Sequence, residues 1–212
     1  MAEWLNTTFA SFDGAIFGAL NGLAQSMGGF LTPFFKIVSY LGEKGIFFII
    51  CSLVLMLFKK TRRWGFTTLL AIGIGALFTN VIIKNLVARP RPYTDPAYTG
   101  FWQAVGAIEE GEFSFPSGHT TVTMVSMTIF FLTFKKKWSW VGFLFVLLMA
   151  VSRVYLVAHY ATDVICAMLV GLVASVIAYV LAKWFYNWLN NNKRVRFARF
   201  FLNSDVKNAF KR

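Results

Sequence analysis

Six stretches of this chain are apolar over about the length a helix needs to cross a bilayer, roughly 20 residues. They run over residues 14–35, 45–58, 64–83, 117–134, 138–152 and 160–182. The expected fold is therefore all-α: a polytopic membrane helix bundle of about six transmembrane helices. The first stretch is interrupted by Gly28, Gly29 and Pro33, and either one span or two half-helices fits it. Residues 41–44 extend the second stretch, with Lys44 snorkelling to the interface. Gly14, Gly18 and Gly22 recur every four residues, a small-residue face suited to close helix packing within the chain or, less favoured, to a dimer.

Composition narrows the class. Only 14% of residues are charged and 57% are hydrophobic, against about 25% charged in an average soluble domain. That balance excludes an ordinary soluble enzyme, a disordered chain and a disulfide scaffold. Cys51 and Cys166 lie in apolar runs and read as small buried side chains, with no CxxC or Cys/His cluster to hold zinc. The first residues carry no basic run, so no cleaved signal peptide is expected.

The net charge of +12 would point a soluble protein to nucleic acid. Here the bases cluster between apolar runs, which sets orientation instead. Lys59, Lys60, Arg62 and Arg63, then Lys135, Lys136 and Lys137, then Lys183, Lys193, Arg194, Arg196, Arg199, Lys207, Lys211 and Arg212 follow alternate stretches. All three clusters fall on one side, the cytoplasmic one. Residues 93–116 hold Asp95, Glu109, Glu110 and Glu112 and no base, and belong on the other side. Both termini are then cytoplasmic, as is the N-x-[ST] match at Asn6. The expected organisation is a membrane domain over residues 1–186 and a basic amphipathic tail over residues 187–212 lying on the anionic inner leaflet.

Ionisable residues at membrane depth are costly and functional by default. Lys84, Arg89, Arg91, His119, Arg153, His159 and Asp163 all fall at extracytoplasmic ends of the expected spans, and the chain's two histidines are among them. Four cations, two imidazoles and a carboxylate at one level describe an anion site with acid–base groups. Lys84 and Arg91 flank a helix end that Pro90 and Pro92 break. Pro116 to His119 (PSGH) opens the fourth span, where Ser117 and Gly118 can offer a hydroxyl and free N–H groups to an anion. Asp163 follows His159 by four residues on one helix face, placed to accept from one imidazole nitrogen and leave the other free as a nucleophile. Singly, each feature has a structural explanation: a snorkelling lysine, a helix-start signal, an acid in the first helical turn.

Together the blocks KX6RP, PSGH and SRX5HX3D resemble the type 2 phosphatidic acid phosphatase superfamily, the lipid phosphate phosphatases. The resemblance covers residues 84–163 at motif level. It implies that His159 is the nucleophile, forming a phosphohistidine, that Asp163 orients it, and that His119 protonates the leaving oxygen and then activates water. It implies phosphate binding by Lys84, Arg91, Arg153, Ser117 and the Gly118 N–H, with Arg89 a secondary phosphate or headgroup contact. No metal or other cofactor is expected. The implied substrates are lipid phosphates or pyrophosphates such as undecaprenyl pyrophosphate, phosphatidylglycerophosphate and phosphatidic acid, met at the extracytoplasmic face of a bacterial cell membrane. The partners are this lipid and the bilayer, not nucleic acid, with homo-oligomerisation open. Transfer of the phosphate to a lipid acceptor and a non-catalytic lipid-phosphate binder are the alternatives. The intact His119, His159 and Asp163 argue against the second.

Overall fold

The structure, a computed structural model, describes residues 1–27, 29–111, 113–134 and 138–208. Expectations resting on Gly28, Glu112, Lys135, Lys136, Lys137, Lys211 and Arg212 lie outside the described residues. Among those described, regular structure is helical apart from one isolated antiparallel bridge between Pro90 and Phe113. The helices are α1 (Ala2–Thr8), α2 (Ala10–Ser26), α3 (Thr32–Leu41), α4 (Ile46–Leu57), α5 (Arg62–Ala76), α6 (Lys84–Val87), α7 (Pro96–Val105), α8 (Gly118–Phe134), α9 (Val141–Tyr155), α10 (Ala161–Asn191) and α11 (Arg196–Asn203). A π-helical turn, Leu77–Ile83, joins α5 to α6.

Among the described residues three helical stretches are long and apolar enough to cross a membrane: Thr32–Leu57, which a short turn divides into α3 and α4, Arg62–Val87 and Ala161–Asn191. Gly118–Phe134 and Val141–Tyr155 are shorter apolar helices. The bundle core is α10 packed against α8 and α5, with α4 on α5 and α9 on α8. Glycine permits the closest approaches. A Cβ on Gly65 would stand 2.3 Å from the Ser52 carbonyl oxygen of α4, and one on Gly171 would stand 2.7 Å from Met124 Cβ of α8. The outward faces carry large apolar side chains, among them Leu53 and Val54 on α4, Leu144 and Leu147 on α9, and Leu169, Val173 and Val180 on α10. Such a continuous exposed apolar shell belongs in lipid, not in water. The chain is an integral membrane protein.

The N-terminal stretch resolves into two helices. α2 ends at Ser26, Gly29 takes a left-handed φ of 74°, and α3 starts with Pro33 in its first turn. Asp13 at the start of α2 and Ser39 near the end of α3 both meet the same end of the bundle, through Arg89 and Arg153 respectively. The pair thus enters and returns, packing on the upper part of α9 and on α10. Among the described residues, the helices that run from one end of the bundle to the other are α4, α5–α6, α8, α9 and α10.

Asn6 and Asp13 bond Arg89 at one end. At the other end α11 docks on the α4–α5 turn, where Arg62 donates to the carbonyls of Phe201 and Ser204 and Lys59 Nζ to Asn203 Oδ1. The two terminal regions therefore lie at opposite ends of the bundle, and Asn6 lies at the end that carries Arg89, not with α11. The expectation that both are cytoplasmic would put them at one end.

Three smaller expectations also change. Gly18 and Gly22 meet nothing within 4 Å, and Gly14 meets only Tyr98 Oη at 3.6 Å, so these glycines form no close helix contact within the chain. Cys51 is exposed on the apolar face and Cys166 half-buried. α10 runs unbroken through residue 186 to Asn191, so the domain boundary placed there falls inside a helix, whose last turns pack Phe185 and Tyr186 on Phe201.

In a variant lacking Cys51 and Cys166, an impermeant maleimide should label Thr7→Cys and Lys207→Cys from opposite sides of the membrane. Labelling of both from one side would contradict this topology.

Candidate active site

The site begins where three helices stop. The π-helical turn shifts the register of the α5–α6 helix just before Lys84, and such turns recur at functional sites. Its Thr79 hydroxyl lies 3.0 Å from that of Thr121 on α8, fixing the two helices. Ala88 takes a left-handed φ of 49° and ends α6, releasing an extended strand-like segment, Arg89 to Arg91. That segment pairs with the one before α8: the Ser114 N–H donates to the Arg89 carbonyl at 2.8 Å and Ser114 Oγ to the Pro90 carbonyl at 3.0 Å. α9 ends at Tyr155, where the N–H groups of Ala158 and His159 both donate to the Arg153 carbonyl. Val157 sits at φ 56° in that turn, a costly conformation for a β-branched residue that swings His159 under the Ser114 segment.

His159 is fully buried, and each ring nitrogen has a partner. Nδ1 lies 2.7 Å from the Ser114 carbonyl oxygen. A carbonyl only accepts, so Nδ1 carries the proton and Nε2 presents its lone pair. Nε2 accepts from Arg91 Nη1 at 3.1 Å. His159 lies outside the spanning helices, and burial, followed by the charges of Arg91, Arg153 and Lys84, holds its imidazole well below the usual range. It is neutral at physiological pH.

The orienting partner is thus the Ser114 carbonyl rather than Asp163, whose Oδ2 stands 3.6 Å from Nδ1. Asp163 is committed elsewhere. Its Oδ2 accepts from the Tyr160 N–H at 2.9 Å and its Oδ1 from Arg89 Nη1 at 2.6 Å. It supplies a negative charge behind the imidazole and caps α10.

Arg89 is buried and spent on structure. Nε donates to Asn6 Oδ1 at 2.7 Å, Nη1 also to Thr162 Oγ1 at 2.7 Å, and Nη2 to Asp13 Oδ2 at 2.9 Å, while the guanidinium lies 3.7 Å from the centroid of the Tyr160 ring. It lines neither cavity described below, where the resemblance would make it a secondary phosphate or headgroup contact. Ser117 lines neither cavity. It is fully buried, and its hydroxyl accepts from the Thr120 N–H and hydroxyl at the start of α8. It caps the helix because the first N–H groups of any helix need such a partner.

A cavity of about 290 Å³ opens among Lys84, Arg91, Gly118, His119 and His159. Asn80, Glu43 and Glu110 complete its wall. A Cβ on Gly118 would stand 3.3 Å from Asn80 Oδ1, so glycine keeps that wall open. A second cavity of about 710 Å³ adjoins it, sharing Glu43, Lys44, Lys84, Arg91 and Glu110 and adding Lys36, Tyr40, Ile108, Arg153 and Leu156. Arg153 donates to Ser39 Oγ and to Glu110 Oε1. The structure therefore brings Lys84, Arg91, Gly118, His119 and His159 to one cavity, with Arg153 in the adjoining one.

Four site residues carry no signal in the motif blocks. His119 Nε2 stands 3.3 Å from Glu43 Oε2. Glu43 belongs to a 3-10 turn, Glu43–Gly45, where Lys44 and Gly45 take φ of 48° and 70°, so residues 41–44 form a turn at the cavity and Lys44 lines it rather than snorkelling. The glycines flanking GEKG are the trace of that turn in the sequence. Asn80 stands at a helical spacing of four before Lys84, and Glu110 belongs to the acidic loop. Ser114 acts through its carbonyl, which any residue type supplies. Among the described residues no group of three or more His, Cys, Asp or Glu side chains is gathered as a metal site would need.

This arrangement, a neutral buried histidine facing a cation-walled cavity with a second histidine across it, coincides with relatedness. A profile of the PAP2 superfamily matches residues 64–194, more than half of the chain. The chain belongs to the PAP2 superfamily, the family of membrane lipid phosphatases that its three motifs resemble. It is 27% identical to an undecaprenyl-diphosphatase of Sulfolobus acidocaldarius over 161 residues, covering 68% of this chain and 74% of that protein. It is 28% identical to a lipid A 4'-phosphatase of Porphyromonas gingivalis over 179 residues, covering 80% of this chain and 74% of that protein. Its fold is similar to that of Aquifex aeolicus LpxE, with TM-score 0.62, 24% identity and coverage of 78% of this chain and 93% of that one. It is similar too to the first transmembrane PAP2 type phosphatidylglycerolphosphate phosphatase from Bacillus subtilis, with TM-score 0.65, 24% identity and coverage of 83% and 87%.

The Arg89 network yields a prediction far from any motif. Asp13 is buried and accepts from Arg89 and from the Thr162 N–H and hydroxyl. Asp13→Ala should lower stability by about 3–5 kcal/mol, the scale of breaking a buried ion pair, read as the unfolding midpoint in detergent. A midpoint equal to the parent's would contradict a structural role for the network.

Proposed function

We propose that the chain hydrolyses the phosphate of membrane lipid phosphates or diphosphates, through a phosphohistidine on His159, at the extracytoplasmic face of the cell membrane. The observation that carries this is the His159 tautomer: Nδ1–H spent on the Ser114 carbonyl, with the Nε2 lone pair turned toward Arg91 at the cavity wall. Nε2 attacks phosphorus as the bond to the lipid oxygen breaks. His119 gives its proton to that oxygen. In the second step His119 takes a proton from water, the water oxygen attacks phosphorus, and the N–P bond breaks, restoring both histidines.

The charge pattern fits the demands of phosphoryl transfer. Negative charge spreads over three equatorial oxygens in a loose transition state, so fixed cations do most of the work. Lys84, Arg91 and Arg153 are those cations, and the Gly118 wall lets backbone approach the oxygens. A dianion beside His119 favours its protonated form. Asp163, held by Arg89 and the Tyr160 N–H, offsets the positive charge that His159 acquires on attack.

The adjoining larger cavity, with Tyr40, Ile108 and Leu156 beside Lys36 and Lys44, suits a lipid headgroup whose chains stay in the bilayer. Lipid-borne phosphate is supported by the names of the relatives: an undecaprenyl-diphosphatase, a lipid A 4'-phosphatase and a phosphatidylglycerolphosphate phosphatase. Undecaprenyl pyrophosphate, phosphatidylglycerophosphate and phosphatidic acid are the substrates to test first. The Lys59 to Arg63 cluster and the basic α11 lie at the opposite end from the site, which supports the extracytoplasmic assignment.

Phosphate release in excess EDTA is the test. His159→Ala and His119→Ala should each lower kcat at least about 10³-fold, the scale on which a nucleophile–base unit fails. Release of phosphate only with metal added, or transfer of the phosphate to a lipid acceptor without free phosphate, would contradict the proposal. The pH profile gives a second check. The His159 imidazole is held low, so it stays neutral on acidification past the usual histidine value of about 6.5. The acid limb of kcat/KM should fall below that pH, and a limb above it would contradict the assignment of His159 as the neutral nucleophile.

A further inference from the structure

Glu110 places a carboxylate where the phosphate belongs. Its Oε1 accepts from Arg153 Nη2 and its Oε2 from Arg91 Nη1 at 3.2 Å. Lys84 lines the same two cavities. The loop is built to hold it there. Tyr93 Oη donates to the Glu110 carbonyl at 2.8 Å, the Glu110 N–H donates back to Tyr93 Oη at 3.2 Å, and Arg91 Nε donates to the Gly111 carbonyl at 2.8 Å. The backbone is thus pinned on both sides while the side chain, 25% exposed, faces both cavities. Burial opposes its charge, but Arg153 and Arg91 outweigh that and hold the carboxyl below its usual range. It is ionised.

An entering anion must therefore do better than Glu110. A phosphomonoester, or the terminal phosphate of a diphosphate, carries close to two charges near neutral pH, with a second ionisation near pH 6. A phosphodiester carries one. A dianion exchanges two charges for one at the guanidiniums. A monoanion exchanges one for one and forfeits a carboxylate already positioned. Discrimination by an unfavourable exchange is as effective as discrimination by a new contact. The need is physical: a site that opens at the level of the lipid headgroups is surrounded by phosphodiester headgroups in any phospholipid bilayer. We infer that Glu110 is a specificity-determining residue that admits phosphomonoester and terminal diphosphate groups to the Arg91–Arg153 pair and turns away phosphodiesters. The inference rests on the reading of this cavity as a phosphate site.

The test compares two probes, inorganic phosphate and dimethyl phosphate, titrated calorimetrically into the full-length chain in detergent at about pH 8, where the first is mainly a dianion and the second a monoanion. The parent should bind phosphate at least about tenfold more tightly than dimethyl phosphate, the scale of one charged hydrogen bond. Glu110→Gln keeps the shape and removes the charge. It should bind dimethyl phosphate about tenfold more tightly than the parent does, with a smaller gain for phosphate, so that the preference collapses. Tyr93→Phe, which frees the backbone at Glu110 and leaves every charge in place, should shift the preference in the same direction. An unchanged preference in both variants, or a parallel weakening of both probes, would overturn the inference and leave Glu110 as a brace for the guanidiniums. Absence of phosphate binding in the parent and the variants alike would overturn the phosphate-site reading along with it.

Discussion

Arg89 is the residue on which the rest of the site hangs. One guanidinium bonds Asp13 from the N-terminal helix pair, Asp163 and Thr162 from the start of α10, and Asn6 from α1, and lies over the Tyr160 ring. Its backbone carbonyl receives the Ser114 N–H. Removing a cation of this kind leaves two buried carboxylates facing each other, so the pieces stand or fall together. The consequence is geometric. Ser114 and Asp163 are placed by Arg89, and His159 lies between them. Arg89, which lines neither cavity, thus helps to set the orientation of the buried His159 imidazole.

Around that frame the chain solves a problem set by the membrane. A bundle of apolar helices cannot hold charges among lipid tails, so the charged residues are gathered where helices end and where each can be paired. Helix termination does the gathering: a left-handed Ala88 ends α6, a left-handed Val157 ends the turn after α9, and a capped Ser117 starts α8. On the cavity walls Arg91 and Arg153 are both held by one carboxylate, Glu110. Electrostatic preorganisation of this kind favours the transition state because its donors are already aimed.

Much of this was legible in the sequence. Charged residues at the ends of apolar runs are rare enough to stand out, and Lys84, Arg91, His119 and His159 meet where their spacing put them. Legibility failed where a role depends on what a residue is not. Ser114 serves through its backbone carbonyl, so its side chain leaves no trace. Arg89 and Ser117 match phosphate-binding chemistry by type, yet buried partners claim them: an arginine close to Asp13 and Asp163 pairs with them before it reaches a ligand, and a serine at a helix start satisfies the helix. Asp13 lies far along the chain from Asp163, and nothing in a single sequence couples them. The N-terminal apolar stretch was ambiguous by length alone, because a helix that enters and returns buries the same number of apolar residues as one that crosses. Its true course decides on which side the first residues lie.

The central claim is that phosphate passes through His159. Quenching a single turnover of a lipid phosphate, labelled in its phosphate, with alkali addresses it directly, and a matched sample exposed to acid tests the lability of the bond. The account predicts a base-stable, acid-labile phosphoryl group on the peptide that contains His159, present in the parent and absent from His159→Ala, and accumulating in His119→Ala if any turnover remains. Label on another residue, or hydrolysis by the parent at full rate with no label trapped in alkali, would contradict it.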